Sequence, residues 1–146
     1  MKRKEFAYCI EKNELIDINI KDVTLASELL ELAKHRQQFW DKVNLEDEFP
    51  SMYLEGHYEI IKELCTAILA LDGWKALNHE CMFAYLKEKK QDLEIDFDYL
   101  LEVKDVRNDI DYRGVKVSLS IWKKNKLKVQ VTIKALIEYI QKKVVD

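Results

Sequence analysis

Apolar residues recur at spacings of three and four along most of this chain, a period that predicts amphipathic helices. The clearest stretch runs from Asp22 to Val43, where Val23, Ala26, Leu29, Leu30, Ala33, Trp40 and Val43 form one stripe. A second helix is expected between Pro50 and Gly73, with proline in its first turn and glycine just past its end, the usual asymmetry of helix punctuation. Its apolar positions wrap most of the circumference, with Leu54, Tyr58, Ile61, Leu64, Cys65 and Ile68 on one stripe and Tyr53, Ile60, Ala67 and Leu71 on another. A helix of that kind belongs at the centre of the fold. A shorter helix around "NHECMFAYLKEKK" has Asn78 as its candidate N-cap. The next, "DFDYLLEVKDVRNDIDYRG", opens on acids suited to a helix N-terminus and closes on Gly114, where a left-handed cap residue is favoured. The last helix carries Trp122, Val129, Ile133, Leu136, Ile137, Ile140 and Val144. Its approach, "VKVSLSI", alternates with period two, but a lone strand would lack a partner, so the helix is placed from Leu119 onward. A short leading helix, Lys2 to Glu11, holds Phe6, Cys9 and Ile10 on one side and gives way to the less regular "NELIDINI".

No repeat or flexible linker divides the 146 residues, so residues 1–146 read as a single domain, long enough to bury a core without disulfides or metal. Three glycines and one proline leave little material for the turns of an all-β protein. The expected fold is all-α: an antiparallel four-helix bundle with a short additional N-terminal helix. Cys9, Cys65 and Cys81 form no C-x-x-C pair and show no metal-ligand spacing, which predicts buried thiols in a reducing cytosol and no metal or other cofactor. No apolar run approaches the roughly 18 residues of a membrane span. The basic start "MKRK" meets Glu5 instead of the apolar core of a signal peptide. A cytoplasmic chain with no membrane partner is the expectation.

One position breaks the pattern. In the helix ending at Gly114 the inward stripe runs Leu100, Val103, Arg107, Ile110, which puts a guanidinium where an aliphatic side chain would serve. Arginine stays ionised and costs several kcal/mol to bury alone, so it must reach an edge, meet a carboxylate or line a wet cleft. Two readings stand side by side. Arg107 with Asp111, and Asp109 with Arg113, are both i,i+4 pairs of an ordinary intrahelical network; or Arg107 belongs to a functional cleft.

An arginine and a polar residue near the end of a helix, a ring side chain a few residues on, then a glycine, with "NHECMFAYL" upstream, resembles the HEPN family of prokaryotic four-helix-bundle domains. The likeness covers the chain from the Asp22 helix to the C-terminus. In active members of that family an arginine, a polar residue and a histidine after four to six intervening positions imply metal-independent RNA cleavage in a dimer cleft. By position Arg107 matches the arginine, Asn108 the polar residue, and Tyr112 stands where the histidine would be. Tyrosine, with an ordinary pKa near ~10, is a poor general base beside histidine near ~6.5. The resemblance also implies a homodimer, and for small stand-alone chains a minimal nucleotidyltransferase as partner.

The three histidines do not fill the vacancy by sequence alone. His57 shares the stripe of Leu54, Ile61 and Leu64 and reads as a hydrogen-bonded core or cleft residue, while His79 beside Glu80 lacks an H-E-x-x-H pattern and a second ligand. Either could approach Arg107 in space. His35 and Arg36 read as solvated. Charge is polarised along the chain: residues 1–40 are neutral, 41–112 carry a net −10 and 113–146 a net +7. In the basic tail Lys123, Lys124 and Lys126 around Trp122 are candidate RNA contacts. The competing reading sets the tail against acidic Asp92 to Asp98 of its own fold. Three functions are therefore weighed: the helical partner of a minimal nucleotidyltransferase in a toxin–antitoxin-type or RNA-related defence or stress system, a metal-independent ribonuclease using Arg107, and a non-catalytic interaction module.

Overall fold

A computed structural model describes residues 3–145. The chain is mostly helical, in the order α1 (Phe6–Glu11), β1 (Leu15–Asp17), α2 (Val23–Lys42), α3 (Pro50–Asp72), β2 (Trp74–Ala76), α4 (His79–Lys89), α5 (Phe97–Arg113) and α6 (Leu119–Val144), with a 3-10 turn at Gln91–Leu93 before α5. The caps predicted at Asn78, Gly73 and Gly114 hold, and the structure adds Asp22, Asp96 and Ser118. Asp22, Asn78, Asp96 and Ser118 each accept a hydrogen bond from the backbone N–H three residues on, satisfying a donor the helix leaves orphaned. Gly73 and Gly114 end α3 and α5 at φ of 79° and 64°, in the left-handed region glycine enters without steric cost. The leading helix begins at Phe6; Lys2, its expected start, lies outside the described residues.

Helix α3 is the centre, as its wrapped apolar pattern predicts, and α2, α4, α5 and α6 all pack against it. Leu54, Tyr58, Ile60, Ile61, Leu64, Cys65 and Ile68 are sealed from solvent. Trp122 of α6, fully buried, packs on Tyr53 and His57 of α3. On the α2 side Trp40 lies directly on Gly56: a Cβ at that position would sit 2.2 Å from the indole Cζ2. The bare backbone of Gly56 is what lets the ring approach so closely.

Two features differ from the sequence expectation. The segment "NELIDINI" supplies β1, which pairs antiparallel with β2 in the register Leu15↔Ala76, Ile16↔Lys75, Asp17↔Trp74. The Gly73 carbonyl extends the ribbon by accepting the N–H groups of Ile18 and Asn19. The pattern alone suggested a strand only at "VKVSLSI", which instead leads into α6 at the expected Leu119. Cys9 and Cys81, read as separate thiols, form a disulfide that ties α1 to α4 across 72 residues of sequence. The spacing carried no C-x-x-C signal because the two cysteines are joined by the fold of the intervening chain. In a chain-entropy estimate, closing a loop of that length stabilises the native state by about 4 kcal/mol. Cys65 remains a free, buried thiol.

Gly56→Ala gives a direct check on the α2–α3 contact. Alanine ordinarily stabilises a helix interior by about 1 kcal/mol over glycine, but here the added carbon collides with the indole, and overpacking of this kind costs about 1 to 3 kcal/mol. Urea denaturation should show a net loss of stability and reduced burial of Trp40 by fluorescence. A more stable variant would mean that the ring is free to move aside.

Candidate functional site around Arg107

Helix α5 is anchored by buried Phe97, Leu100, Leu101 and Val103, and the same stripe one turn further on delivers Arg107 to the wall formed by α2 and α3. Its side chain retains 18% exposure. Nε lies 3.0 Å from Asp111 Oδ2, but the N–H is poorly aligned with that oxygen, so the contact is an ion pair without a hydrogen bond and the buried Nε has no acceptor. Nη1 donates to Asn108 Oδ1 at 3.2 Å. The guanidinium carbon sits 5.9 Å from the centroid of the Tyr58 ring, within cation–π range. The second predicted pair also forms, more loosely, with Arg113 Nη1 3.8 Å from Asp109.

Tyr58 connects this cluster to a histidine. Its hydroxyl lies 2.7 Å from His79 Nδ1, and burial raises the phenol far above its usual pKa, so the O–H donates and the imidazole accepts. That hydrogen bond places the remaining ring proton of His79 on Nε2. Burial first, then the positive charges of Lys62, Arg107 and Lys104, lower the His79 pKa and keep the ring neutral. His79 is thus coupled to Arg107 through the Tyr58 ring and through the Arg107 charge. His57 is a core residue: 4% exposed, it donates Nδ1–H to the Tyr53 carbonyl at 2.7 Å and packs between Trp40 and Trp122.

A cavity of about 620 Å³ opens between α2, α3 and α5, with Arg107 on its wall beside His35, Arg36, Phe39, Trp40 and Glu55. Glu55 was not singled out by sequence. Its carboxyl is pushed up to about 7, first by its hydrogen bond with Asp111, then by burial and by the Asp111 charge, while Arg107 pulls the other way. Two carboxyl groups so close cannot both ionise cheaply, so the pair holds a proton near neutrality. A guanidinium that can receive an anionic oxygen and a carboxyl that exchanges a proton near pH 7 thus face one cavity. A second cavity of similar volume, between the N-terminal arm, α4 and α5, is lined by Phe6, Phe83, Phe97 and Leu101 with charged Arg3, Lys87 and Asp98 among its other residues.

The other expected site residues are dispersed. Tyr112 is 78% exposed and makes no hydrogen bond with Arg107. Lys126 pairs with Glu46 at 2.7 Å, an oxygen that also accepts Trp122 Nε1–H at 3.3 Å. Lys128 reaches Asp96 at 3.5 Å and covers the Tyr99 ring at 4.1 Å, so part of the basic tail does complement the acidic segment before α5. Lys123 and Lys124 are exposed, with no ion pair among the described residues. Arg36 is exposed, as expected, and from there also holds buried Glu63 through a 2.9 Å contact to Oε1, which leaves Glu63 Oε2 without a partner. Compared with known proteins, the chain matches no family model, no curated protein and no solved structure.

The Glu55 proton makes stability depend on pH with a definite sign. The folded state holds that proton to about 7, whereas an ordinary glutamate loses it near 4.5, so the contribution is complete below the lower value and is lost as pH rises through the higher one. Urea midpoints should fall between pH 5 and pH 8, and Glu55→Gln, which cannot ionise, should flatten that step. An unchanged step in the variant would assign the titration to another group.

Proposed function

We propose that this chain is a HEPN-like helical domain, a four-helix bundle with a short N-terminal helix, that acts as the helical partner of a minimal nucleotidyltransferase in a toxin–antitoxin-type or RNA-related defence or stress system. Its cleft receives an RNA phosphate on Arg107, with Asn108 orienting the guanidinium, and two copies pair to complete that cleft. The observation that carries this reading is the division of the motif. Arg107 and Asn108 are joined at the cavity wall, while Tyr112, at the position of the catalytic histidine in active relatives, is directed to solvent. Holding a phosphate needs only the first two; cleaving RNA needs a proton-transfer group as well. Exposed Lys123 and Lys124 extend the positive surface along α6, and Lys126 is already committed to Glu46.

A second reading, metal-independent RNA cleavage, is favoured by one observation: Glu55, poised near neutrality in the same cavity as Arg107, has the proton affinity a general base or acid requires.

One set of measurements separates the two. Light scattering should give about twice the 17.4 kDa chain mass, and the dimer should co-elute with a minimal nucleotidyltransferase as its partner. Binding to single-stranded RNA, followed by anisotropy, should weaken steeply with salt as counterions are released. Arg107→Ala should weaken it without loss of fold, and Lys123→Glu with Lys124→Glu should weaken it equally for all sequences. In chelator the native chain should leave RNA intact. Cleavage abolished by both Arg107→Ala and Glu55→Gln would establish the nuclease instead; a monomer that elutes apart from the nucleotidyltransferase would overturn the partner reading.

A further inference from the structure

We propose that Cys9, Glu14 and Cys81 form a binding site for a soft divalent cation, zinc by its ligand chemistry, which opens when the Cys9–Cys81 disulfide is reduced. The site lies on the far side of α4 from the chemistry of Arg107 and does not depend on the function proposed above. Cys9 projects from α1 and Cys81 from the first turn of α4; both side chains are fully buried, with Cα atoms 5.7 Å apart. Glu14 follows α1 and returns its N–H to the Cys9 carbonyl at 2.9 Å. This turn holds its carboxylate over the pair, with Oε2 3.2 Å from Cys81 Sγ. The three ligand atoms lie within 4.8 Å of one another. Tetrahedral zinc, with bonds of about 2.3 Å to sulfur and about 2.1 Å to oxygen, spaces its ligand atoms by roughly 3.5 to 3.8 Å. Once the sulfurs are no longer bonded to each other, reaching that spacing requires them to part by rotation of the cysteine side chains.

Two thiolates and one carboxylate select zinc over calcium or magnesium, which take oxygen ligands only. Glu14, with a side chain 26% exposed, keeps the fourth position within reach of water. The surroundings already support positive charge. Glu14 Oε2 accepts from the Lys4 ammonium at 2.9 Å and from Asn78 Nδ2 at 3.0 Å. Lys4 is 31% exposed and can swing into water as the cation takes its place; Asn78 stays to orient the carboxylate, the part a second hydrogen bond plays around bound metals. The amide end of α4 favours a thiolate at Cys81. The free Cys65 takes no part: it is fully buried, and burial raises its thiol pKa.

The chemistry balances. A dithiol reductant gives two electrons and two protons to the disulfide, becoming a disulfide itself and leaving two thiols. Each thiol releases its proton to solvent as its sulfur takes the cation. Oxidation by a disulfide compound reverses the sequence and expels the metal. In both states α1 remains clamped to α4, through sulfur–sulfur or through sulfur–metal–sulfur bonds.

The full chain is reduced with a phosphine, desalted without oxygen and titrated with Zn²⁺ against a chromogenic chelator, with Co²⁺ as an optical probe. The reduced chain should bind one equivalent of zinc and the oxidised chain none, and Co²⁺ should develop a near-ultraviolet thiolate charge-transfer band. Glu14→Gln should keep that band and lose about tenfold or more in zinc affinity, in the range seen when ligand support around a metal is removed; Cys81→Ser should lose the band. If Cys81→Ser fails to fold, the native chain compared in its two redox states still decides. Equal zinc uptake by reduced and oxidised protein, or no uptake by the reduced form, would overturn the site, and unchanged affinity in Glu14→Gln would remove the carboxylate from it.

Discussion

The rest of the structure depends on burying α3 on nearly every side. A helix at the centre of a small domain must be apolar around most of its circumference, and α3 meets that demand with aliphatic and aromatic side chains sealed beneath α2, α4, α5 and α6. The close seating of Trp40 on Gly56 and of Trp122 on Tyr53 follows from the same requirement. So do the positions of the flanking helices, which settle where Arg107 arrives.

That central helix nevertheless carries an acidic seam. Glu55, Glu59 and Glu63 stand four residues apart on one face, an arrangement that is repulsive in isolation. Each is compensated in a different way. Glu55 is kept near neutral by proton sharing with Asp111 beside Arg107, Glu59 pairs with Lys62 of its own helix at 2.9 Å, and Glu63 draws Arg36 across from α2. The cavity at Arg107 lies along this seam, which is why its electrostatics are finely balanced and why one proton changes them.

The N-terminal arm solves a different problem. A six-residue helix and a three-residue strand cannot hold themselves in place, so they are fastened by long-range contacts: the β1–β2 ribbon, Lys4 and Asn78 on Glu14, Arg3 on Asp105 at 2.8 Å and the Cys9–Cys81 bond. These contacts converge on the start of α4, next to His79. The arm and the Arg107 cluster therefore share α4 and α5 as a common support.

Periodicity and capping residues are local properties, and local chemistry was enough to specify the helices. The stripe of α2, the wrapped pattern of α3, the caps at Asn78 and Gly114 and the start of α6 at Leu119 all follow from which residues lie three, four or one position away. The inward placement of Arg107 and its i,i+4 partner Asp111 were legible for the same reason. What the sequence could not determine involves residues distant along the chain. The ribbon joins positions about sixty apart and the disulfide positions 72 apart. Glu55 looks like any helical glutamate until the fold brings Asp111 to it, and Tyr58 links His79 to Arg107 only because three helices meet there. A side chain's proton affinity and partners are set by the dielectric and charges around it, and only the tertiary structure decides what those surroundings are.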